Sequence, residues 1–333
     1  MRIRGNSLLV VLLLGGALAT AGTVKRDEPL AGAREAYELS DYGNAVQILQ
    51  AAAAKDPRNA EIQLLLAKTY YELQERDAAI ARAEKAVALE PRNPVYHEWL
   101  GRTYGEKAEH ASLFSALSLA KKTRKEFETA VQLDGNNFSA RQALIEYDCT
   151  APGIAGGGED KARPQIAELV LLDAAEGHYA AGNCRRRKKD FAAADEEFAK
   201  ALASNPKSAD LVYDIGDYAV KRGQPERLLA VAEAGESLKP ADPRGKFYRA
   251  VGLILQKERP EEAENLLREY LKVAPIRMNY PRRGDAHDWL GRLLESREKT
   301  PAAVCEYETA VKLDPKNKHA REALKKLGTS SRR

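Results

Sequence analysis

The stretch HEWLGRTYGE, residues 97–106, has a near copy in HDWLGRLLES, residues 287–296. Both tryptophans of the chain stand in this shared pattern of histidine, acid, tryptophan, leucine, glycine and arginine. The likeness continues downstream, where FETAVQLDG (127–135) is answered by YETAVKLDP (307–315). Two unrelated active sites would not share so long a pattern, so the pair indicates a repeated structural unit.

A recurring phrase gives the length of that unit. Short runs of small and apolar residues end in proline or glycine at positions 57, 91, 135, 206, 240, 275 and 315, with spacings of 34, 44, 71, 34, 35 and 40. The base period is therefore 34. The longer spacings indicate insertions of ten, three and six residues near Leu113, Gly156 and Asn279, which we expect to lie in turns between helices.

Each period contains small residues at helical spacing. One recurs in the middle of the first half, and alanines recur about twelve and nineteen residues later, as at Ala194 and Ala201. Such spacing marks one face of a helix, and small side chains there let two helices approach closely, so each unit is predicted to be a helix pair. The mid-helix positions are Ala33, Ala67, Gly101, Gly182, Gly216 and Gly291.

These patterns resemble the tetratricopeptide repeat family, whose 34-residue unit has the pattern W-x2-L-G-x2-Y…A-x3-F…P. The family's tryptophan position is His97 or His287 here, and the tryptophans stand next to the leucine instead. The matching residues are Leu100, Gly101, Tyr104, Phe127 and Ala130 in the third unit, Gly182, Ala194, Phe198, Ala201 and Pro206 in the fifth, and Leu290, Gly291, Ala303, Tyr307, Ala310 and Pro315 in the eighth.

The resemblance implies an all-α, right-handed superhelical solenoid whose concave wall is lined by the first helix of each unit. Aromatic residues make up only 7% of the chain and charged residues 31%, which also favours helices packed through small and aliphatic side chains. We expect about eight repeats within 22–315, a polar capping helix at 316–328 and a disordered tail at 329–333. The expected units are 24–57, 58–91, 92–135, 136–172, 173–206, 207–240, 241–275 and 276–315.

The N-terminus has the pattern of an export signal. Arg2 and Arg4 precede the apolar run SLLVVLLLGGALA, and Ala19-Thr20-Ala21 forms a small-x-small cleavage pattern. The run from Ser7 to Gly22 makes about 24 Å of helix, short of the roughly 30 Å hydrocarbon core. We therefore predict a signal peptide at 1–21 and a periplasmic or secreted protein, membrane-tethered only if the leader is retained.

Nothing in the mature chain indicates catalysis, a cofactor or a nucleic-acid partner. Almost every residue belongs to a repeat, and the formal charge falls from +4 to +2 once two leader arginines are removed. APGIAGGGED (151–160) lacks the lysine and hydroxyl of a P-loop and is interpreted as a loop. RRRKK (185–189) is interpreted as the end of a first helix. The histidines show no metal-ligand spacing, so no metal site is predicted.

Cys149 and Cys184 stand 35 positions apart, near the expected ends of first helices in neighbouring units. A disulfide between successive repeats is geometrically possible, and Cys305 would be left over.

The groove side of the family's unit contains the residues one after and three before the mid-helix small residue. Tyrosines at the second position form a ladder that could grip an extended segment, or they pack neighbouring helices. We expect an exported, non-catalytic scaffold that binds a peptide or protein segment there; the alternative is a carrier for glycan or cell-wall material using the same tyrosines. The candidate groove residues are Lys68, Arg102, Tyr179, Asn183, Tyr213, Asp217, Tyr248 and Arg292.

Overall fold

A computed structural model describes residues 24–277 and 279–330. The expected signal peptide and the last three residues of the expected tail lie outside this range. Within it every regular element except one short 3₁₀ turn is an α-helix, and consecutive helices pack on each other along the chain. The predicted all-α solenoid is confirmed. None of the helices described is both long and apolar enough to cross a bilayer.

First and second helices alternate from α1 to α16, and α17 closes the array. The first helices are α1 (Val24–Glu38), α3 (Ala60–Glu72), α5 (Pro94–Glu109), α7 (Phe138–Thr150), α9 (Ala174–Arg187), α11 (Ala209–Arg222), α13 (Arg244–Gln256) and α15 (Arg283–Ser296). The second helices are α2 (Tyr42–Lys55), α4 (Arg76–Leu89), α6 (Leu113–Leu133), α8 (Glu159–Leu172), α10 (Phe191–Ala203), α12 (Pro225–Leu238), α14 (Pro260–Val273) and α16 (Thr300–Leu313). The closing helix α17 spans Lys318–Ser330, so it starts and ends two residues later than expected.

The short segment that recurs once per period lies between units, where it ends one helix and begins the next. Asp56 ends α2 and Pro57 follows, where its missing N–H costs no helical hydrogen bond. Two residues later the Asn59 side chain accepts hydrogen bonds from the backbone N–H groups of Glu61 and Ile62, 3.1 and 3.2 Å away, and so caps α3. Asn93 and Asn137 cap α5 and α7 in the same way. The sequence between units thus stops one helix and starts the next.

The ten-residue insertion near Leu113 is not a turn, contrary to expectation. It lengthens α6 to 21 residues, whereas the other second helices have 13 or 14. The chain has no glycine or proline between Gly105 and Gly135, so nothing stops the helix early. The other two insertions do form connections, at 151–158 with a 3₁₀ turn (Gly153–Ala155) and at 274–277 and 279–282.

The fourth and fifth units are held together by ion pairs and a disulfide. The basic run 185–189 ends α9, and its side chains reach back to the preceding unit: Arg185 and Lys188 pair with Glu159 at 3.2 and 2.6 Å. Cys149 of α7 and Cys184 of α9 form a disulfide, with Cα atoms 5.6 Å apart. The basic run therefore has carboxylate partners within the protein.

Candidate functional site

The two hexapeptides place the same side chains against the same partners. His97 Nδ1 lies 2.6 Å from the Glu126 carboxylate of α6, and His287 Nδ1 lies 2.7 Å from Glu306 of α16. A third pair, His178 and Glu197 at 2.8 Å, repeats the arrangement between α9 and α10. In each unit the histidine stands four residues before the mid-helix glycine and the glutamate directly before an aromatic residue. Comparing the positions of His97, His178 and His287 would have revealed this third copy from sequence.

The mid-helix glycines provide space for an aromatic ring of the second helix. A Cβ atom added at Gly101 would lie 2.6 Å from the Phe127 ring, one at Gly182 2.5 Å from Phe198, and one at Gly291 2.6 Å from Tyr307. Real Cβ contacts are not that close, so glycine is required for this helix packing. At Gly216 the ring comes instead from Tyr248, in the first helix of the next unit.

The acidic residue of each hexapeptide connects its unit to the following element. Glu98 accepts hydrogen bonds from Arg102 one turn later, at 3.0 Å, and from Ser139 of α7, at 2.7 Å. Asp288 accepts from Arg292 at 2.7 Å and contacts His319 Nδ1 of α17 at 2.7 Å. Both carboxylates are buried, and their contacts join successive units.

The tyrosine ladder is wrong as a ligand surface. Tyr213 and Tyr248 are only 2% and 1% exposed and stack on each other with ring centroids 5.4 Å apart. The position three before the small residue faces the first helix of the next unit, and Arg244 covers the Tyr213 ring at 4.3 Å. Tyr179 packs beside Phe198 and donates its hydroxyl to Asp214 at 2.9 Å. The burial of Tyr213 and Tyr248 removes two of the three ring faces on which the glycan alternative depends, and Tyr179 lies half-buried at a small cleft.

The predicted polar residues lie in two separate parts of the array, Lys68 and Arg102 in the N-terminal part and the other three in the C-terminal half. Lys68 and Arg102 lie over the Trp99 ring, 4.6 and 5.7 Å from its centroid, in the N-terminal part of the array. Asn183 and Asp217 line a small cleft of about 210 Å³ between α9 and α11. Arg292 stacks on Trp289 at 4.2 Å near the C-terminus.

Asp214 and Asp217 are the two carboxylates of α11 that line the small cleft. Both keep contact with solvent, but the surrounding helices limit their hydration, which raises the pKa of each above its ordinary value. Asp217 also lies near Asp214 and raises the pKa of that carboxyl further. The hydroxyls of Tyr179 and Tyr248 donate to them and oppose the shift. Burial disfavours the charged form of a lysine as well, and so it lowers the pKa of Lys68.

A large cleft crosses the first helices of the last three units and the closing helix. It has a volume of about 880 Å³ and includes Asp217, Lys221, Trp289 and Arg292. Leu255 supplies apolar surface, Phe247 and Trp289 lie almost fully buried beneath it, and charged side chains of both signs surround the cleft. The cleft therefore brings together two of the predicted groove residues, Asp217 and Arg292.

Arg244, which the sequence reasoning missed, fixes one edge of this cleft. Its buried guanidinium donates to Asp210 and Asp242, each at 2.7 Å, and to the carbonyl oxygen of Asn279 at 3.1 Å. It also stacks on Tyr280 at 4.7 Å. Because Tyr280, Pro281 and Arg282 line the cleft, Arg244 holds the 274–282 insertion in place as part of its wall. No repeat spacing marks this residue, since its partners come from three different segments.

One group in the described part of the chain could bring three metal-ligating atoms together. Glu106, Glu109 and His110, at the end of α5, have ligand atoms within 4.8 Å of one another. Arg76 already pairs with Glu106 at 3.2 Å, and the other two side chains are exposed. This arrangement is that of a solvated helix end.

Three family models describe the chain. The tetratricopeptide repeat models match residues 36–102, 175–208 and 253–318, which together make up half of the protein. The chain is a tetratricopeptide repeat protein. The matches leave the count of eight repeats a prediction. No curated protein sequence matches this tetratricopeptide repeat protein significantly.

Solved structures share the fold at low identity. Yeast Tom70 has a TM-score of 0.59 at 14% identity, over 96% of this chain and 66% of that one. The human IFIT1 dimer with m7Gppp-AAAA has a TM-score of 0.50 at 16% identity, over 91% of this chain and 64% of that one. At these identities the likeness of the tetratricopeptide arrays concerns architecture alone.

Proposed function

We propose that this protein is an exported interaction scaffold that binds an extended protein segment in the cleft between α11 and α17. Tetratricopeptide repeat proteins generally act as protein-interaction scaffolds, typically without catalysis. The cleft of about 880 Å³ carries the proposal, because it is a concave surface of ligand-binding size that lies on the first helices.

The composition of the cleft suits a peptide. Leu255, which is half-buried, and the small exposed part of Trp289 offer contact to an aliphatic side chain. Lys221, Lys318 and Asp217 at the edges of the cleft offer charge to flanking residues. Four first-layer helices about 9 Å apart span about 27 Å, which an extended chain covers in about eight residues. The expected occupant is therefore a short extended segment.

Export is supported by two features of the chain. The leader pattern at 1–21 is that of a signal peptide, and a disulfide between Cys149 and Cys184 is typical of proteins in oxidising compartments. Comparing the N-terminal residue and thiol count of the protein recovered from the envelope with those of the cytoplasmic form tests this part. A chain still beginning at Met1 and carrying three free thiols would contradict it.

A crosslinking pull-down with a charge-reversed cleft tests the binding surface. Lys221→Glu together with Lys318→Glu changes the cleft and leaves the core intact. Lys272→Glu with Lys312→Glu, on exposed positions of α14 and α16, makes the same charge change on second helices. Proteins captured by the native chain and by the control pair but lost with the cleft pair support the proposal.

Equal capture by both variants would mean that the binding surface lies elsewhere. If capture depends on the cleft, peptides of about eight residues from a captured protein are titrated against the native chain and the cleft pair. The cleft pair should bind them at least tenfold more weakly than the native chain does.

A further inference from the structure

The N-terminal end of α6 forms an apolar projection on the surface. α6 exceeds the usual second helix by seven or eight residues, which is about 10 Å at 1.5 Å per residue. Its first two residues, Leu113 and Phe114, are 81% and 88% exposed. We call residues 113–117 the α6 tip; it has no apolar partner surface over these two side chains in the described part of the protein.

Lysines follow the α6 tip on the same side of the helix. Phe114 stands seven residues before Lys121 and eleven before Lys125, so these three side chains lie on one face of the helix. Thr123, Phe127 and Ala130 lie on the opposite, buried face. The exposed face therefore passes from apolar Phe114 to cationic Lys121 over about 10 Å, away from the body of the array.

These lysines are available to an anion. Residues 110–125 contain no acid, and among the described residues no carboxylate lies within ion-pair distance of Lys121, Lys122 or Lys125. Arg124 is different, because its guanidinium is bound to Asp148 at 2.8 Å and belongs to the core packing. Lys122 lies over the Tyr104 ring at 5.1 Å. The free positive charge thus sits directly behind the apolar end.

We propose that the α6 tip docks this protein on an anionic lipid surface. Leu113 and Phe114 enter the boundary between headgroups and acyl chains, and Lys121, about 10 Å behind Phe114, meets the lipid phosphates. Lys125, about 17 Å behind Phe114, faces the anionic surface. Charge complementarity and this spacing favour lipid over a protein partner. Two exposed apolar side chains offer far less than the roughly 800 Å² per partner of a stable protein interface, whereas a bilayer accepts a small apolar wedge with cations behind it. The contact is separate from the groove and from the leader.

Vesicle co-sedimentation tests the proposal. Vesicles of phosphatidylcholine with one third phosphatidylglycerol are compared with pure phosphatidylcholine, using the full chain and, in parallel, the chain beginning at Gly22 so that the leader's contribution is measured separately. Native protein should bind the anionic vesicles, and raising the salt concentration should weaken that binding. Leu113→Ser with Phe114→Ser, and separately Lys121→Gln with Lys125→Gln, should each reduce binding at least tenfold.

The chain offers a matched control for the apolar substitution. Leu171 and Leu172, at the end of α8, are 88% and 47% exposed and are followed by Asp173. The exposed cation behind them, Arg163, already pairs with Glu159 at 4.0 Å. Leu171→Ser with Leu172→Ser should leave vesicle binding unchanged. Circular dichroism should show native helicity for all variants, because the altered side chains are exposed.

Two outcomes would overturn the proposal. One is equal loss of binding in the α6 and α8 leucine variants, or none in either. The other is the absence of anionic vesicle binding together with self-association that disappears in the Phe114→Ser variant, which would make the occupant of the α6 tip a second copy of the chain.

Discussion

The hexapeptides at 97–102 and 287–292 have the same sequence pattern but different neighbours. In both, the histidine pairs with a glutamate of the second helix and the glycine lies under an aromatic ring. The acids differ in where they reach: Glu98 contacts Ser139 of the next repeat, whereas Asp288 contacts His319 of the closing helix.

The tryptophans differ most. Trp99 is partly exposed, lies edge-on to Tyr71 and sits under Lys68 and Arg102. Trp289 is 8% exposed, belongs to the main core and lines the large cleft. Positions that pack within a unit are therefore fixed by the repeat, and the tryptophan position takes its role from the adjacent unit.

Replacing the tryptophans should give the largest difference in unfolding free energy between the two hexapeptides. Trp289→Ala removes a buried core ring and should cost about 3–5 kcal/mol of unfolding free energy, whereas Trp99→Ala should cost about 2 kcal/mol because part of that ring is already in water. Urea unfolding followed by circular dichroism measures both. Equal losses would mean that the two rings are buried alike.

Replacing the glycines should show that the copies are equivalent. Gly101→Ala and Gly291→Ala place a Cβ atom 2.6 Å from a ring, and each should lose about 1–3 kcal/mol. Gly43→Ala is the matched control, since this α2 glycine has open space around its Cβ position and should gain up to about 1 kcal/mol in helix propensity. Hydrogen exchange should locate each loss in its own unit, and a stabilised Gly101→Ala would contradict the assigned packing.

The histidines allow a finer comparison. Both His→Ala variants lose a hydrogen bond to a carboxylate, worth about 1–2 kcal/mol, but His97 also contacts the Pro91 carbonyl oxygen at 2.9 Å. His97→Ala should therefore be the more damaging by about 0.5–1 kcal/mol. Thermal unfolding of the two variants beside His110→Ala, an exposed histidine, measures the difference; a reversed order would show that the extra contact adds nothing.

The smallest effect is optical. In the single-tryptophan variants Trp99→Phe and Trp289→Phe, acrylamide should quench Trp99 more than Trp289, because only the former keeps substantial contact with water. A peptide bound in the cleft should change the emission of Trp289 and leave that of Trp99 unchanged. A change confined to Trp99 would move the binding surface to the N-terminal half.

The sequence predicts the features that recur in every unit, but few of the contacts that occur only once in the array. The 34-residue period, the helix pairs and the mid-helix glycines follow from spacing, because each unit solves the same packing problem. Arg244 could not be found this way, since Asp210, Asp242 and Asn279 converge on it from separate segments. The burial of Tyr213 and Tyr248 depends on how one unit sits on the next, which a single unit's pattern does not contain.

The length of α6 agrees with the absence of glycine and proline from its sequence. A turn is expected at the insertion, but residues 113–133 contain neither glycine nor proline and form one helix. The absence of helix breakers favours a long helix without fixing its start, since the turn at 110–112 also has no glycine or proline.

The disulfide between Cys149 and Cys184 changes how the array responds to mechanical load. Repeat units hold only their neighbours, so a chain pulled at its ends can unravel unit by unit. The bond joins α7 to α9 and encloses α8, so none of the residues between the two cysteines can add length while it is intact. Under tension only the parts of the array before Cys149 and after Cys184 can then extend, so the oxidised protein reaches a shorter maximum length than the reduced protein.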